Sequence, residues 1–166
     1  MKQLLLIRHA KSSWENFSVH DFDRPLNERG KKDAPAMAQR LLEKNIKIDA
    51  FISSPAKRAR KTAEAFAKAY HRNTGDIIFS EFLYLASPAV LARIISETDN
   101  RYHCIAVFSH NDGLTDFANQ LTTARIDNIP TCGIFAVNIR ADNWKDFAAA
   151  EKTYWFFDCP KAGISD

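Results

Sequence analysis

Four short apolar runs, Leu4–Ile7, Ala50–Ile52, Ile105–Phe108 and Ile134–Val137, recur along the chain without polar alternation. A run that short and that uniformly apolar reads as a strand covered on both faces. Strands are expected at 3–8, 49–55, 76–82, 104–110, 133–139 and 153–159, with the last two antiparallel to each other. Helix signals lie between them. Asn27 is a plausible cap for a helix running to about Lys44, with Ala36, Met37, Leu41 and Leu42 facing inward. Pro35 within it predicts a kink or a loose first turn. Ser54-Pro55 and Ser87-Pro88 each combine a capping hydroxyl with a proline at the first helical position. They predict helices to about Tyr70 and Glu97, and a further helix spans about Asp112 to Leu121.

This alternation predicts an α/β fold, a three-layer sandwich with a mostly parallel central sheet and helices on both faces. No linker or compositional break interrupts it, so one domain over residues 1–166 is expected. In open α/β sheets ligands bind beyond the carboxyl ends of the strands. Residues 8–13, 53–58, 81–87 and 109–113 are therefore expected along one rim.

The 166 residues carry a formal net charge of +3, compatible with an anionic substrate and too small to imply nucleic acid. The three cysteines, Cys104, Cys132 and Cys159, are odd in number and lack C-x-x-C spacing. They read as reduced thiols of a cytoplasmic protein rather than a disulfide framework or a zinc site. The apolar run after Lys2 is too short for a signal peptide, and no run is long enough to span a membrane.

Two of the expected strands end alike, in "LLLIRHA" and "IAVFSHN", each delivering a histidine at its carboxyl end. A third ends in "ISSPAKRAR", which puts Arg58 in the first turn of a helix. Arg8, His9, Arg58 and His110 can then converge on one spot. Two guanidiniums, two imidazoles and a helix N-terminus make a basic cup suited to a phosphoryl group.

With those residues in hand, the chain resembles the histidine phosphatase superfamily, the phosphoglycerate mutase-like clan, from Leu4 to Phe157. Arg8-His9-Ala10 matches the tripeptide that ends the first strand, with Ala10 in place of the commoner glycine. Ser53-Ser54-Pro55 with Arg58, Ala59, Thr62, Ala63 and Glu64 matches the second element, and His110 the third. "RHAKSSW" and "DFDRPLNERG" look most like the small phosphohistidine phosphatases of the SixA type. The resemblance implies that His9 is the nucleophile and forms a phosphohistidine intermediate. It also implies that Arg8, Arg58 and His110 hold the phosphoryl oxygens, that Ser12 contacts phosphate, and that Glu81 stands where larger members carry a general acid. No metal or cofactor is expected, because the arginines supply the positive charge. Between Glu81 and His110 there is room for one helix and one strand, hence for no lid domain.

Physical chemistry supports the same roles. Phosphoryl transfer needs mainly positioning and charge neutralisation, and a neutral imidazole is a competent nucleophile near pH 7. Arg8 and Arg58 are expected to keep His9 uncharged by like-charge repulsion, whereas bound phosphate favours the imidazolium of His110. The expected substrate is a phosphorylated protein bearing phosphohistidine, with a small phosphate ester as the alternative and a phosphate-binding module without turnover as the rival of another class. Neither nucleic acid nor membrane is an expected partner.

Other candidates read as structural. "KRARK" spreads its charges around a helix axis, and His20, His71 and His103 read as surface residues. Trp14, Phe17 and Phe22 read as a loop cluster packed on the domain, with lining of the pocket mouth as the alternative, and Asp21, Asp23 and Arg24 as ion-pairing residues that fix that loop. Thr62 and Glu64, one turn beyond Arg58, read as structural rather than catalytic.

Overall fold

The computed structural model describes residues 1–163. In chain order its elements are β1 (Lys2–Arg8), α1 (Glu28–Glu43), β2 (Ala50–Ser53), α2 (Lys57–Ala69), β3 (Ile78–Phe79), α3 (Pro88–Ser96), β4 (Cys104–Ser109), α4 (Gly113–Leu121), β5 (Ile134–Ile139) and β6 (Lys152–Asp158), with short 3₁₀ turns between them. The strands form one sheet in the order β3-β2-β4-β1-β5-β6. The first four of that order pair in parallel, and β5 runs antiparallel to both β1 and β6.

Period-two geometry splits each strand's apolar residues between two cores. Leu5, Ile7, Phe51, Ala106 and Phe108 join α1 and α2 through Met37, Leu41 and Phe66. Leu4, Leu6, Ile52, Ile105 and Val107 join α3 and α4 through Leu91, Ile95, Leu114 and Phe117. The result is the expected three-layer α/β sandwich with a mostly parallel sheet. Adjacent β1 and β4 thus send the chain to helices on opposite faces, and a crevice opens between their carboxyl ends.

α1 begins where predicted, with the Asn27 side chain accepting from Gly30 N at 2.9 Å, and continues through Pro35. Its buried face is Ala34, Met37, Ala38 and Leu41, one i, i+3, i+4, i+7 stripe. Ala36 instead faces solvent and Leu42 is half-buried. Ser87 caps α3 as expected, accepting from Val90 N. Two predictions fail. α2 starts at Lys57 with no side-chain cap, beyond Ser54-Pro55. The strand expected at 76–82 shrinks to Ile78–Phe79, where β2 pairs with it through just Ile52 and Ser53; Glu81–Leu83 forms a 3₁₀ turn instead.

Two glycines set helix starts against loops. A Cβ at Gly30 would overlap the Lys11 carbonyl, and one at Gly113 would overlap the Ala86 carbonyl. All three cysteines are free thiols. No helix among the described residues is long and apolar enough to cross a membrane.

Candidate active site

At the crevice, backbone hydrogen bonds fix where β1 ends. His9 N donates to Ser109 O at 3.2 Å, and Cys132 N is shared between the Arg8 and His9 carbonyls at 3.1 and 3.0 Å. Thr62 ties this strand end to α2: its hydroxyl accepts from Ala10 N at 2.9 Å and donates to Arg58 O at 2.7 Å. The two imidazoles end up with ring centroids 5.2 Å apart.

His9 is 7% exposed. Its Nδ1 lies 2.8 Å from the Ala10 carbonyl, which can only accept, so Nδ1 carries the proton. The lone pair is therefore on Nε2, which faces Arg58 Nε at 3.4 Å. Burial is the largest cause that pushes the imidazole pKa down to about 3, and Arg58, Arg8 and Arg24 add to it against the Ala10 hydrogen bond. The expected neutrality of His9 thus has a different main cause: desolvation outweighs repulsion by the arginines.

His110 is buried with its Nε2 2.8 Å from Ser54 Oγ. The hydroxyl expected to cap α2 is thus engaged with a histidine, and it also accepts from Ala56 N at 3.2 Å. Burial, then His9 and Arg58, push the His110 pKa down to about 3 as well. An arriving anion must offset that depression before this ring takes a proton. His110 Nδ1 and Arg8 Nε are both buried without a hydrogen-bond partner among the described residues. Such orphans cost about 1–3 kcal/mol each, a cost that a ligand oxygen reaching them relieves.

Arg58 is held from the loop after β1. Its Nη1 donates to Asp21 O at 2.6 Å and its Nη2 to Asp21 Oδ2 at 2.9 Å. Asp21 Oδ1 accepts from Arg24 Nη1 at 2.9 Å, and Tyr84 donates its hydroxyl to Asp21 Oδ2. Burial works against the Asp21 charge, but the hydrogen bonds from Tyr84, Arg24 and Arg58 outweigh it and hold the carboxyl well below the usual carboxylate range. Arg24 also donates to Ser12 Oγ and lies 3.2 Å from the centroid of the Trp14 ring. Asp21 and Arg24 form the loop ion pair expected of them, whereas Asp23 joins no ion pair among the described residues.

These groups line a cavity of about 210 Å³ in which Arg8, Arg24, Arg58 and Lys11 surround the two histidines and Ser12. Of the residues singled out from the sequence, Arg8, His9, Ser12, Arg58 and His110 are brought together there. Glu81 is not: it is exposed and does not line the cavity, and Leu85 of the following turn does. Sequence reasoning missed Arg24, Ser54 and Tyr84 as members of the site. A larger cavity, about 540 Å³, lies beside β3 and shares no residue with this one. Charge and buried imidazoles, rather than size, single out the smaller. Among the described residues no cluster of three or more His, Cys, Asp or Glu side chains is placed to hold a metal ion.

Residues 4–80 match the model of the histidine phosphatase superfamily, branch 1. An uncharacterised chloroplastic protein of Arabidopsis thaliana is 28% identical over 163 residues, spanning 93% of this chain and 74% of that one. Phosphoserine phosphatase 1 of Hydrogenobacter thermophilus is 41% identical over 71 residues, which cover 42% of this chain and 33% of the enzyme. Among solved structures, the putative phosphohistidine phosphatase SixA from Agrobacterium tumefaciens superposes with a TM-score of 0.80 at 24% identity, covering 96% of this chain and 98% of that one. The pattern of the histidine phosphatase superfamily over residues 4–80 and the fold shared with the SixA structure along nearly the whole length meet at the same strand ends.

Proposed function

We propose that this protein is a phosphatase that uses His9 as its nucleophile and acts on protein phosphohistidine, with its positive charge supplied by arginines rather than by a metal. The observation that carries the reading is the state of His9: a buried, neutral imidazole with its proton on Nδ1 and its lone pair on Nε2, inside a cup of guanidiniums. In the resting site Arg58 Nε–H points at that lone pair across a long 3.4 Å contact. A phosphoryl oxygen competes for the same N–H and frees Nε2. The Nε2–P bond then forms as the substrate N–P bond breaks, and the substrate ring, already protonated on its other nitrogen, leaves as neutral imidazole with the bonding pair on the nitrogen that held phosphorus. In the second step water adds to phosphorus, the Nε2–P bond breaks, and phosphate leaves with the water's proton released to solvent. Arg8, Arg58 and His110 stabilise the phosphoryl oxygens in both steps, and Ser12, held by Arg24, adds a hydroxyl contact.

Two features favour phosphohistidine over an alkyl ester. Among the described residues no carboxyl group lines the cup, and a protonated imidazole leaves without further help, whereas an ester without an acid loses roughly 10²–10⁴ in rate. Trp14 and Leu85 line the cup yet remain 64% and 56% exposed, so its mouth is open enough for a residue on a protein surface. The match to a phosphoserine phosphatase over 71 residues keeps a phosphate ester as the second reading.

Phosphate release from a phosphohistidine-bearing protein, from phosphoserine and from an aryl phosphate, each with EDTA, tests the proposal. Turnover of the phosphohistidine protein that survives EDTA and is unchanged in Glu81→Gln is expected. Faster turnover of phosphoserine, lost in Glu81→Gln, would replace the reading with an ester phosphatase using that carboxyl as its acid.

A further inference from the structure

We propose that Asp21 is a positioning residue for phosphoryl transfer, its carboxylate and backbone carbonyl together setting the Arg58 guanidinium against His9. The inference rests on the phosphatase reading of this cup. A guanidinium is planar, so fixing its two terminal nitrogens fixes the third. Asp21 takes one hydrogen from each terminal nitrogen, at 2.6 and 2.9 Å. That leaves the second hydrogen of each free for a ligand and turns Nε–H toward His9 Nε2. The other Asp21 oxygen holds Arg24, which in turn holds Ser12, and the Tyr84 hydroxyl bonds the oxygen that Arg58 uses. One carboxylate therefore joins three separate segments: the loop after β1, the first turn of α2 and the turn before α3. Every neighbour of this carboxylate donates to it, so it acts through the arginine and does not serve as the proton donor. Arg58 has a side chain only 4% exposed, and among the described residues no other carboxylate pairs with it.

A mutant cycle between Asp21→Asn and Arg58→Ala tests this, read out both as turnover and as orthovanadate binding followed by tryptophan fluorescence. Asp21→Asn is expected to lower kcat about 30-fold with KM within about threefold, since orientation matters most to the transition state. In the Arg58→Ala background the same change is expected to cost less than about twofold. Asp23→Asn makes the same charge change on an exposed neighbour and is expected to leave kcat unaltered. An equal loss in both backgrounds, or an Asp21→Asn variant matching Asp23→Asn, would overturn the proposal. Where Asp21→Asn fails to fold, Tyr84→Phe removes one hydrogen bond to the same carboxylate; about a threefold loss confined to the Arg58-containing protein is expected, and no loss counts against it. Should wild type release no phosphate, the phosphatase reading fails, and the cycle in orthovanadate affinity decides the role of Asp21 alone.

Discussion

β1 and β4 lie side by side, run in parallel and each end in a buried histidine, yet they prepare their imidazoles differently. His9 gives its Nδ1 proton to its neighbour's carbonyl and keeps Nε2 as a lone pair facing a guanidinium. His110 engages Nε2 with the Ser54 hydroxyl and leaves Nδ1 buried without a partner among the described residues. Burial is the main cause of both depressed pKa values, so charge does not distinguish the rings. What does is the direction of the lone pair and the group opposite it. On the proposed reading one ring attacks and the other receives an oxygen.

Removing each ring in turn breaks that comparison most sharply. His9→Ala is expected to lose at least roughly 10⁴-fold in kcat, the scale of a lost nucleophile. His110→Ala is expected to lose roughly 10²–10³-fold, the scale of a lost oxyanion contact. Intact mass after acid-free quenching separates them further: a phosphoryl adduct is expected on His110→Ala and absent from His9→Ala. An adduct on His9→Ala would exchange the two roles.

Smaller effects follow from the pKa values. Both rings have folded-state values of about 3, below the ordinary value near 6.5. Between these limits the unfolded chain binds more protons, so stability rises with pH. The contribution of each ring is complete above about pH 6.5 and is lost as pH falls toward 3, by up to about 1.4 kcal/mol per pH unit. Urea unfolding at pH 7, 6 and 5 is expected to show this slope, lessened in His9→Gln and in His110→Gln. A slope unchanged in both variants would mean that the rings are protonated in the fold. Smallest of all, Ser54→Ala removes about 1 kcal/mol of hydrogen bonding from His110. It is expected to lower kcat about fivefold without altering adduct formation on His9, and an equal fall in both would show that Ser54 serves the whole site.

Most of this arrangement could be read from the chain because the apolar runs that make strands also end in the residues that matter. Leu4–Ile7 and Ile105–Phe108 announce their own length, and the histidine beyond each run is delivered by the strand that precedes it. Reading fails where a local signal is overruled by a distant partner. Ser54-Pro55 has the form of a helix start, but His110, 56 positions along, takes the hydroxyl. The 76–82 run has strand character, yet β2 offers it only two residues to pair with. Asp21 and Tyr84 meet across 63 positions, a contact that no periodicity encodes. Ala36 was misplaced by the angular error of choosing a helix face without knowing which side the sheet occupies.

Gly30 and Gly113 carry a consequence for how such a protein can diversify. Each presses the start of a helix directly onto the backbone of a loop bordering the cup, Lys11 in one case and Ala86 in the other. Loop position is thereby set in part by helix and sheet packing, in addition to the Asp21 and Arg24 contacts. Phe17 and Phe82 stand exposed on those loops and their neighbours, outside the cavity lining, and exchanging them leaves the groups around the histidines in place. Selection on partner choice and selection on chemistry then fall on separate sets of residues, and a lineage can change its substrate while its reaction stays fixed.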